Sequence, residues 1–199
     1  FCAAVLFSIK SFAVCTDSGT VISSPGTYAT NIVTCDDTTN GIDLRGDFSG
    51  TVNMTGNITT SGYFAGGIIL FNFEDLPNSP NIVNMTGNIT TRGSFGYGIT
   101  LYNYNGSYNS NIVNMTGNIM TEGFYALGIY FRNGGTNNIN TVNMTGNIST
   151  SHATAYGINL FIESGTSNSN TVNMTGRIAA TDASSYAISS FTSGSTNSN

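Results

Sequence analysis

Apolar and polar residues alternate through one heptapeptide, VNMTGNI, which begins at Val52, Val83, Val113 and Val142 and returns as VNMTGRI at Val172. Val52, Met54 and Ile58 fall on one side with Gly56, and Asn53, Thr55, Asn57 and Thr59 on the other. A period of two is that of a β-strand. A second apolar mark, Gly-Ile in most repeats, follows at a constant offset: Ile58 to Ile68, Ile89 to Ile99, Ile119 to Ile129, Ile148 to Ile158 and Ile178 to Ile188 are each ten residues apart. The heptapeptides start 31, 30, 29 and 30 residues apart. All length variation therefore falls after the second mark, in FNFEDLPNSP, YNYNGSYNS, FRNGGTNN and FIESGTSNS. One face carries loops, and the other two do not.

A lone strand of this kind cannot bury its apolar side. Stacking each repeat on the next, about 4.8 Å apart, buries that side and satisfies the backbone groups between neighbours. The expected fold is all-β: a right-handed parallel β-helix, a solenoid of about five 30-residue coils with an N-terminal cap. Its inward rows are the valines, then Met54/Met85/Met115/Met144/Met174, then the isoleucines from Ile58, then Ile68/Ile99/Ile129/Ile158/Ile188 and Leu70/Leu101/Phe131/Leu160/Ser190. Gly67, Gly98, Gly128 and Gly157 mark a corner with no room for a side chain, with Ala187 ending that row. Asn81, Asn111, Asn140 and Asn170, two residues before each valine, suit an asparagine ladder at a bend. NIVTCDDTTNGIDL carries the same Asn-Ile-Val and Gly-Ile marks, but Gly41 follows Val33 by only eight residues, so it is read as an atypical first coil. Residues 14–50 are thus the cap and first partial coil, and 51–199 the repeats starting near 52, 83, 113, 142 and 172. A propeller blade would need four strands in roughly 40 residues, and helical repeats a 3.6 period that is absent.

The charge content changes the picture of partners. Only 8% of the 199 residues are charged, five basic against ten acidic, for a net charge of −5. Such a surface repels phosphate backbones and anionic bilayer surfaces, so nucleic acid is not expected as a partner, and no stretch approaches the roughly 20 apolar residues that span a bilayer as a helix, so direct membrane insertion is not expected either. Residues 1–13 differ from the rest: Phe1 to Phe12 is short and apolar, and Ser11-Phe12-Ala13 supplies the small residues that precede a signal-peptidase cut. They read as a clipped secretory leader ending at Ala13, the alternative being a buried strand or helix that caps the core, and Val14 before Cys15 argues against a lipoprotein box. Cys15 and Cys35 would then remain as an even pair, expected to form a disulfide that closes the N-terminal end, with two free buried cysteines as the alternative. No cysteine or histidine spacing points to a metal, and no cofactor is expected.

The recurring order Asn-x-Val-Asn-x-Thr-Gly-x-Ile-x-Thr, then Gly, then Gly-Ile, as in NIVNMTGNITTRGSFGYGI, resembles the passenger repeats of bacterial autotransporter and haemagglutinin-type adhesins over about Gly41 to Asn199. The resemblance implies export across a Gram-negative envelope and a C-terminal membrane barrel beyond this sequence. It also implies a location at the cell surface, attached to the outer membrane or extracellular. The chain begins without Met and stops where the next VNMTG should start, so both ends read as cut. The function implied is a non-enzymatic, surface-exposed adhesin-like or structural passenger segment. A filament or surface-layer subunit is the alternative, with an ice-binding solenoid or a polysaccharide-acting enzyme further behind.

The residues for an enzyme are sparse. Arg92, Arg132 and Arg177 are the only bases in the repeats, and Glu74, Asp75, Glu122, Glu163 and Asp182 are scattered over loops and turns. The pairs Asp36-Asp37 and Glu74-Asp75 are read as solvated turn residues, and His152 as a turn substitution at the position of Gly62, Gly93 and Gly123. No catalytic residue is assigned. Two surfaces are candidates for binding. The polar face consists of Asn53, Asn84, Asn114, Asn143 and Asn173 with Thr55, Thr86, Thr116, Thr145 and Thr175. Its Asn-x-Thr spacing also makes most of nine glycosylation sequons, too crowded on a ladder for most to be used. The second candidate is the outward row Phe71, Tyr102, Phe161 and Phe191, interrupted by Arg132, where a host or polysaccharide surface, or another copy of the chain, could be met. Coverage of that row by the variable loops is the competing reading.

Overall fold

The computed structural model describes residue 17 and residues 21–45, 50–72, 80–104 and 107–199. Among them there is no helix, and each coil contributes three strands. A short first coil holds β1 (Gly26–Ala29), β2 (Ile32–Thr34) and β3 (Ile42–Arg45), and the next β4 (Gly50–Thr55), β5 (Ile58–Thr60) and β6 (Ile68–Asn72). Then come β7 (Pro80–Thr86), β8 (Ile89–Thr91), β9 (Ile99–Asn103), β10 (Ser110–Thr116), β11 (Ile119–Thr121) and β12 (Leu127–Asn133). The last two coils are β13 (Ile139–Thr145), β14 (Ile148–Thr150), β15 (Tyr156–Ile162) and β16 (Ser169–Thr175), β17 (Ile178–Ala180), β18 (Tyr186–Thr192). Every third strand pairs in parallel, giving three six-stranded sheets. We call them the Met sheet (β1, β4, β7, β10, β13, β16), the Thr sheet (β2, β5, β8, β11, β14, β17) and the aromatic sheet (β3, β6, β9, β12, β15, β18). The fold is a parallel β-solenoid of about five 30-residue coils.

The pairing is in register throughout the repeats: Val83 lies against Val113, Met85 against Met115, Ile89 against Ile119 and Ile99 against Ile129. Between Val52 and Leu160 these rows are buried, and each such side chain contributes roughly 1.5–3 kcal/mol. In the last coil Val172, Met174 and Ile178 are only partly buried and Ile188 is 58% exposed, because one neighbouring coil covers them rather than two. The heptapeptide is not one strand but two. β4 stops at Thr55 and β5 starts at Ile58, with Gly56 between them at φ +147°, where a Cβ would collide with the carbonyl of Thr30 in the coil before. At the other corner a Cβ on Gly67 would lie 2.6 Å from the Gly98 carbonyl oxygen, and closer to Ile89.

The first coil is aligned differently from the sequence expectation. Asn-Ile-Val at 31–33 matches Asn57-Ile58-Thr59 of the Thr sheet, not Asn81-Ile82-Val83, and Gly26 to Ala29 takes the place of the VNMT strand. With that register Ile32 and Ile42 pair with Ile58 and Ile68, so the ten-residue offset holds there too.

Two buried polar rows complete the interior. Thr60 and Thr91 point inward and give their hydroxyl protons to the Ala65 and Gly96 carbonyls, 2.9 and 3.0 Å away. At the corner between the aromatic and Met sheets, Asn81, Asn111, Asn140 and Asn170 form the expected ladder, but facing it stands a second row, Asn72, Asn103 and Asn133. Amides bond along both rows, as from Asn111 Nδ2 to Asn140 Oδ1 at 3.0 Å, and across them, as from Asn111 Nδ2 to Asn103 Oδ1 at 2.8 Å. Ile162 ends the facing row. A buried amide is costly unless bonded, and here nearly every one is. The exception is Asn81 Oδ1, whose neighbour in the preceding coil is Gly50.

Candidate functional site

The corner between the Thr and aromatic sheets is a tight turn, closed in one coil by the Ala65 N–H donating to the Gly62 carbonyl at 3.2 Å and in the next by the Gly96 N–H to Gly93 at 3.1 Å. At Gly62, Gly93 and Gly123 a Cβ would meet the backbone of the preceding coil, whereas other coils carry Asp36, His152 and Asp182 at the same turn position. In a later coil exposed His152 takes this place, its ring 5.6 Å from that of Phe124. The third turn residue has left-handed backbone: φ is 62° at Phe64, 57° at Phe95 and 53° at Tyr125. Such a conformation costs of order 1–3 kcal/mol for a bulky residue. Three successive coils thus place an aromatic where glycine would be free of strain. The rings stack outward, Phe64 to Phe95 at 5.0 Å and Phe95 to Tyr125 at 5.4 Å, and Tyr63 and Phe124 lie edge-on beside them. They form a ridge along the solenoid axis.

The candidate stripe stands parallel to this ridge on the outer face of the aromatic sheet. Arg45, Phe71, Tyr102, Arg132, Phe161 and Phe191 are neighbours in one register row. Phe71, Tyr102 and Phe161 are half-buried, and Phe191 is exposed. Phe71 meets Tyr102 edge to face at 4.3 Å, whereas Phe161 and Phe191 stack nearly parallel at 5.0 Å. Arg132 is part of the row's chemistry rather than a gap: its guanidinium lies 4.9 Å from the Tyr102 ring centre and donates to Glu163 Oε2 at 2.6 Å. Tyr104, in the following loop, packs against Tyr102 at 5.8 Å. Residues 73–79, including Glu74 and Asp75, lie outside the described residues.

Sequence reasoning missed two further aromatic sets on this face. Tyr97, Tyr156 and Tyr186 occupy the row next to the ridge, and Tyr130 stands between that row and the stripe. Burial pushes the phenols of Tyr97 and Tyr130 above their ordinary range, and that of Tyr102 too, where Arg132 pulls the other way. The dipeptides Tyr63-Phe64, Ser94-Phe95 and Phe124-Tyr125, at one place in three repeats, were the available signal for the ridge. Nothing in the sequence announced their positive φ.

The polar face is the outer surface of the Met sheet and lines a shallow trough of about 860 Å³. Its asparagines are bonded to one another, Asn84, Asn114, Asn143 and Asn173 each donating to the Oδ1 of the preceding coil at 2.7–2.9 Å. Thr55, Thr86, Thr116, Thr145 and Thr175 form the exposed row beside them. Around the corner Asn57, Asn88 and Asn118 accept the backbone N–H of the next coil at 2.8–2.9 Å.

Among the described residues no three of His, Cys, Asp and Glu converge as metal ligands would, and no helix is long and apolar enough to cross a membrane. Arg45, Arg92 and Arg132 each pair with an acid: Asp43, Glu122 and Glu163. Cys35 is disulfide-bonded, and its N–H donates to Asp17 Oδ1 at 2.6 Å. Cys15 and the leader assigned to residues 1–13 lie outside the described residues. No family model, curated protein or solved structure matches this chain.

Proposed function

We propose that the chain is a non-enzymatic passenger segment of an exported, cell-surface protein. It acts as an adhesin-like contact module whose working face is the outer surface of the aromatic sheet. The observation that carries this reading is the double aromatic relief along the axis, the stripe of Phe71 and Tyr102 facing the strained ridge of Phe64, Phe95 and Tyr125. Solenoid stability does not require it, because the core lies on the other side of the sheet. The left-handed turn recurs at Thr38 and Thr154 without a ring, so the turn belongs to the fold and the exposed aromatics are what is added to it. The autotransporter-type origin and the outer-membrane or extracellular location belong to the same proposal and rest on the repeat order in the sequence.

The test replaces Phe71, Tyr102 and Phe161 together by Ser and measures attachment of the exported protein to host-cell monolayers and immobilised polysaccharide. These rings are half-buried, so the change should cost about 1 kcal/mol for each ring and leave the β-sheet circular dichroism intact. Attachment should be lost. A folded triple variant that attaches as well as the parent would sink the reading.

A second reading attaches to the polar trough, whose threonine row repeats at the coil spacing and could order water or ice. Exchanging Thr86, Thr116 and Thr145 for Lys would abolish such an activity and leave attachment untouched.

A further inference from the structure

Between the ridge and the stripe the aromatic face has a gap. In the row next to the ridge, Gly66 stands where later coils carry Tyr97, Leu127, Tyr156 and Tyr186. The missing side chain opens a groove of about 230 Å³ between the ridge, at Phe64 and Phe95, and the stripe, at Phe71 and Tyr102. Its floor includes Ile69 and Thr100, and Arg45 and Tyr130 also line it. Thr100 is 7% exposed, and its hydroxyl has no hydrogen-bond partner. A buried hydroxyl left unsatisfied costs roughly 1–3 kcal/mol, and a χ1 rotation would offer it to a guest.

We infer that this groove is a binding site for a single phenolic ring. The inference rests on the reading of this face as a contact surface and names the chemistry it contacts. The volume suits one ring with its substituent, since an apolar cavity of about 150 Å³ already holds benzene. The walls are aromatic faces and edges, which favour a flat apolar guest. Thr100 supplies one hydrogen bond, which a phenol oxygen can make in either direction. A sugar, with a hydroxyl on most of its carbons, would leave several of them unpaired against Phe64, Phe71 and Phe95. The same ring chemistry arrives either as a free phenolic molecule or as a tyrosine side chain of a partner protein.

The experiment titrates the full chain with p-cresol, N-acetyltyrosinamide, toluene and methyl glucoside, following the methyl NMR signals of Ile69 and Thr100. The two phenols should shift both signals saturably. Gly66→Tyr supplies the aromatic that the following coil has at Tyr97. Its Cβ would lie 3.2 Å from the Ile69 side chain and from the Tyr97 backbone carbonyl, so both must give by a few tenths of an ångström, and it should weaken phenol binding at least about tenfold. Ile69→Phe, which fills the groove from its floor, serves if that variant does not fold. Thr100→Val should weaken p-cresol but not toluene. Binding of p-cresol alone would identify a free molecule as the guest, and binding of both phenols a side chain as well; either supports the site. Phenol binding unchanged by Gly66→Tyr and Ile69→Phe, no saturable shift at these methyls, or preference for methyl glucoside would overturn it. These readouts involve no attachment assay, so the site can stand if the adhesion reading falls, and the reverse.

Discussion

Asn111 and Asn114 are the same residue on the same strand, three positions apart and on opposite faces, so replacing each by Ala isolates what burial does to an amide ladder. Asn111 is fully buried, with Nδ2 donating to Asn103 Oδ1 at 2.8 Å and Asn140 Oδ1 at 3.0 Å. Its Oδ1 accepts from Asn72 and Asn81, both at 3.1 Å. Those two donors also bond elsewhere, Asn72 to Asn103 at 2.9 Å and Asn81 to Asn72 at 2.6 Å. Asn103 Oδ1 would keep Asn72, and Asn140 Oδ1 would keep Asn103 at 3.0 Å. Asn111→Ala removes four bonds, the two it donates and the two it accepts, and leaves one buried N–H of Asn72 and one of Asn81 without an acceptor. At about 1 kcal/mol for each bond, with a small void added, the cost is about 4–5 kcal/mol. Asn114→Ala loses one bond given to Asn84 and one received from Asn143, but water can take both places, so the cost should stay below about 1 kcal/mol. Urea denaturation read by circular dichroism should show the larger midpoint shift for Asn111→Ala. Repeat arrays need not unfold in two states, so the comparison is between midpoints and not extrapolated free energies. Equal shifts, or a larger one for Asn114→Ala, would show that the facing asparagine rows do not hold the corner.

Two shorter predictions follow from the same geometry. Met115 is 2% exposed and Thr116 is exposed, so Met115→Asp should abolish the folded state or cost more than about 4 kcal/mol, while Thr116→Asp stays within about 1 kcal/mol; thermal melts of both decide it, and similar losses would reverse the inward and outward faces. Burial raises the Tyr97 and Tyr130 phenols above their ordinary value of 10.0, favouring the protonated form in the folded chain. Their contribution is therefore complete below about pH 10 and is lost as pH rises through the higher folded values, because the unfolded chain gives up its protons first. The urea midpoint should fall above about pH 10 less steeply in a Tyr97→Phe/Tyr130→Phe variant than in the parent, and identical slopes would refute the assignment.

The solenoid was legible in the sequence because its information is periodic. A strand buried on one side has a period of two, in-register stacking requires the same residue type at one position in every coil, and Val83/Val113/Val142 and Met85/Met115/Met144 meet both conditions without reference to anything distant. The corner at Gly67 and Gly98 was legible for the same reason. Features that arise between rows were not. The heptapeptide reads as one strand because the bend at Gly56 leaves the alternation of inward and outward residues intact, and only the backbone shows the break between Thr55 and Ile58. The facing asparagines Asn72 and Asn103 lie eight or nine residues from Asn81 and Asn111, across a loop of variable length, so their meeting depends on how two sheets close a corner. The groove at Gly66 is further still from the sequence. It needs the left-handed turns that raise Phe64 and Phe95 into a wall, the stripe that forms the opposite wall, and one missing side chain between them. Periodicity along the chain specifies which side of a strand is buried, whereas the shape of the outer surface is set by side chains from different coils and corners, whose positions are fixed only once the coils are stacked.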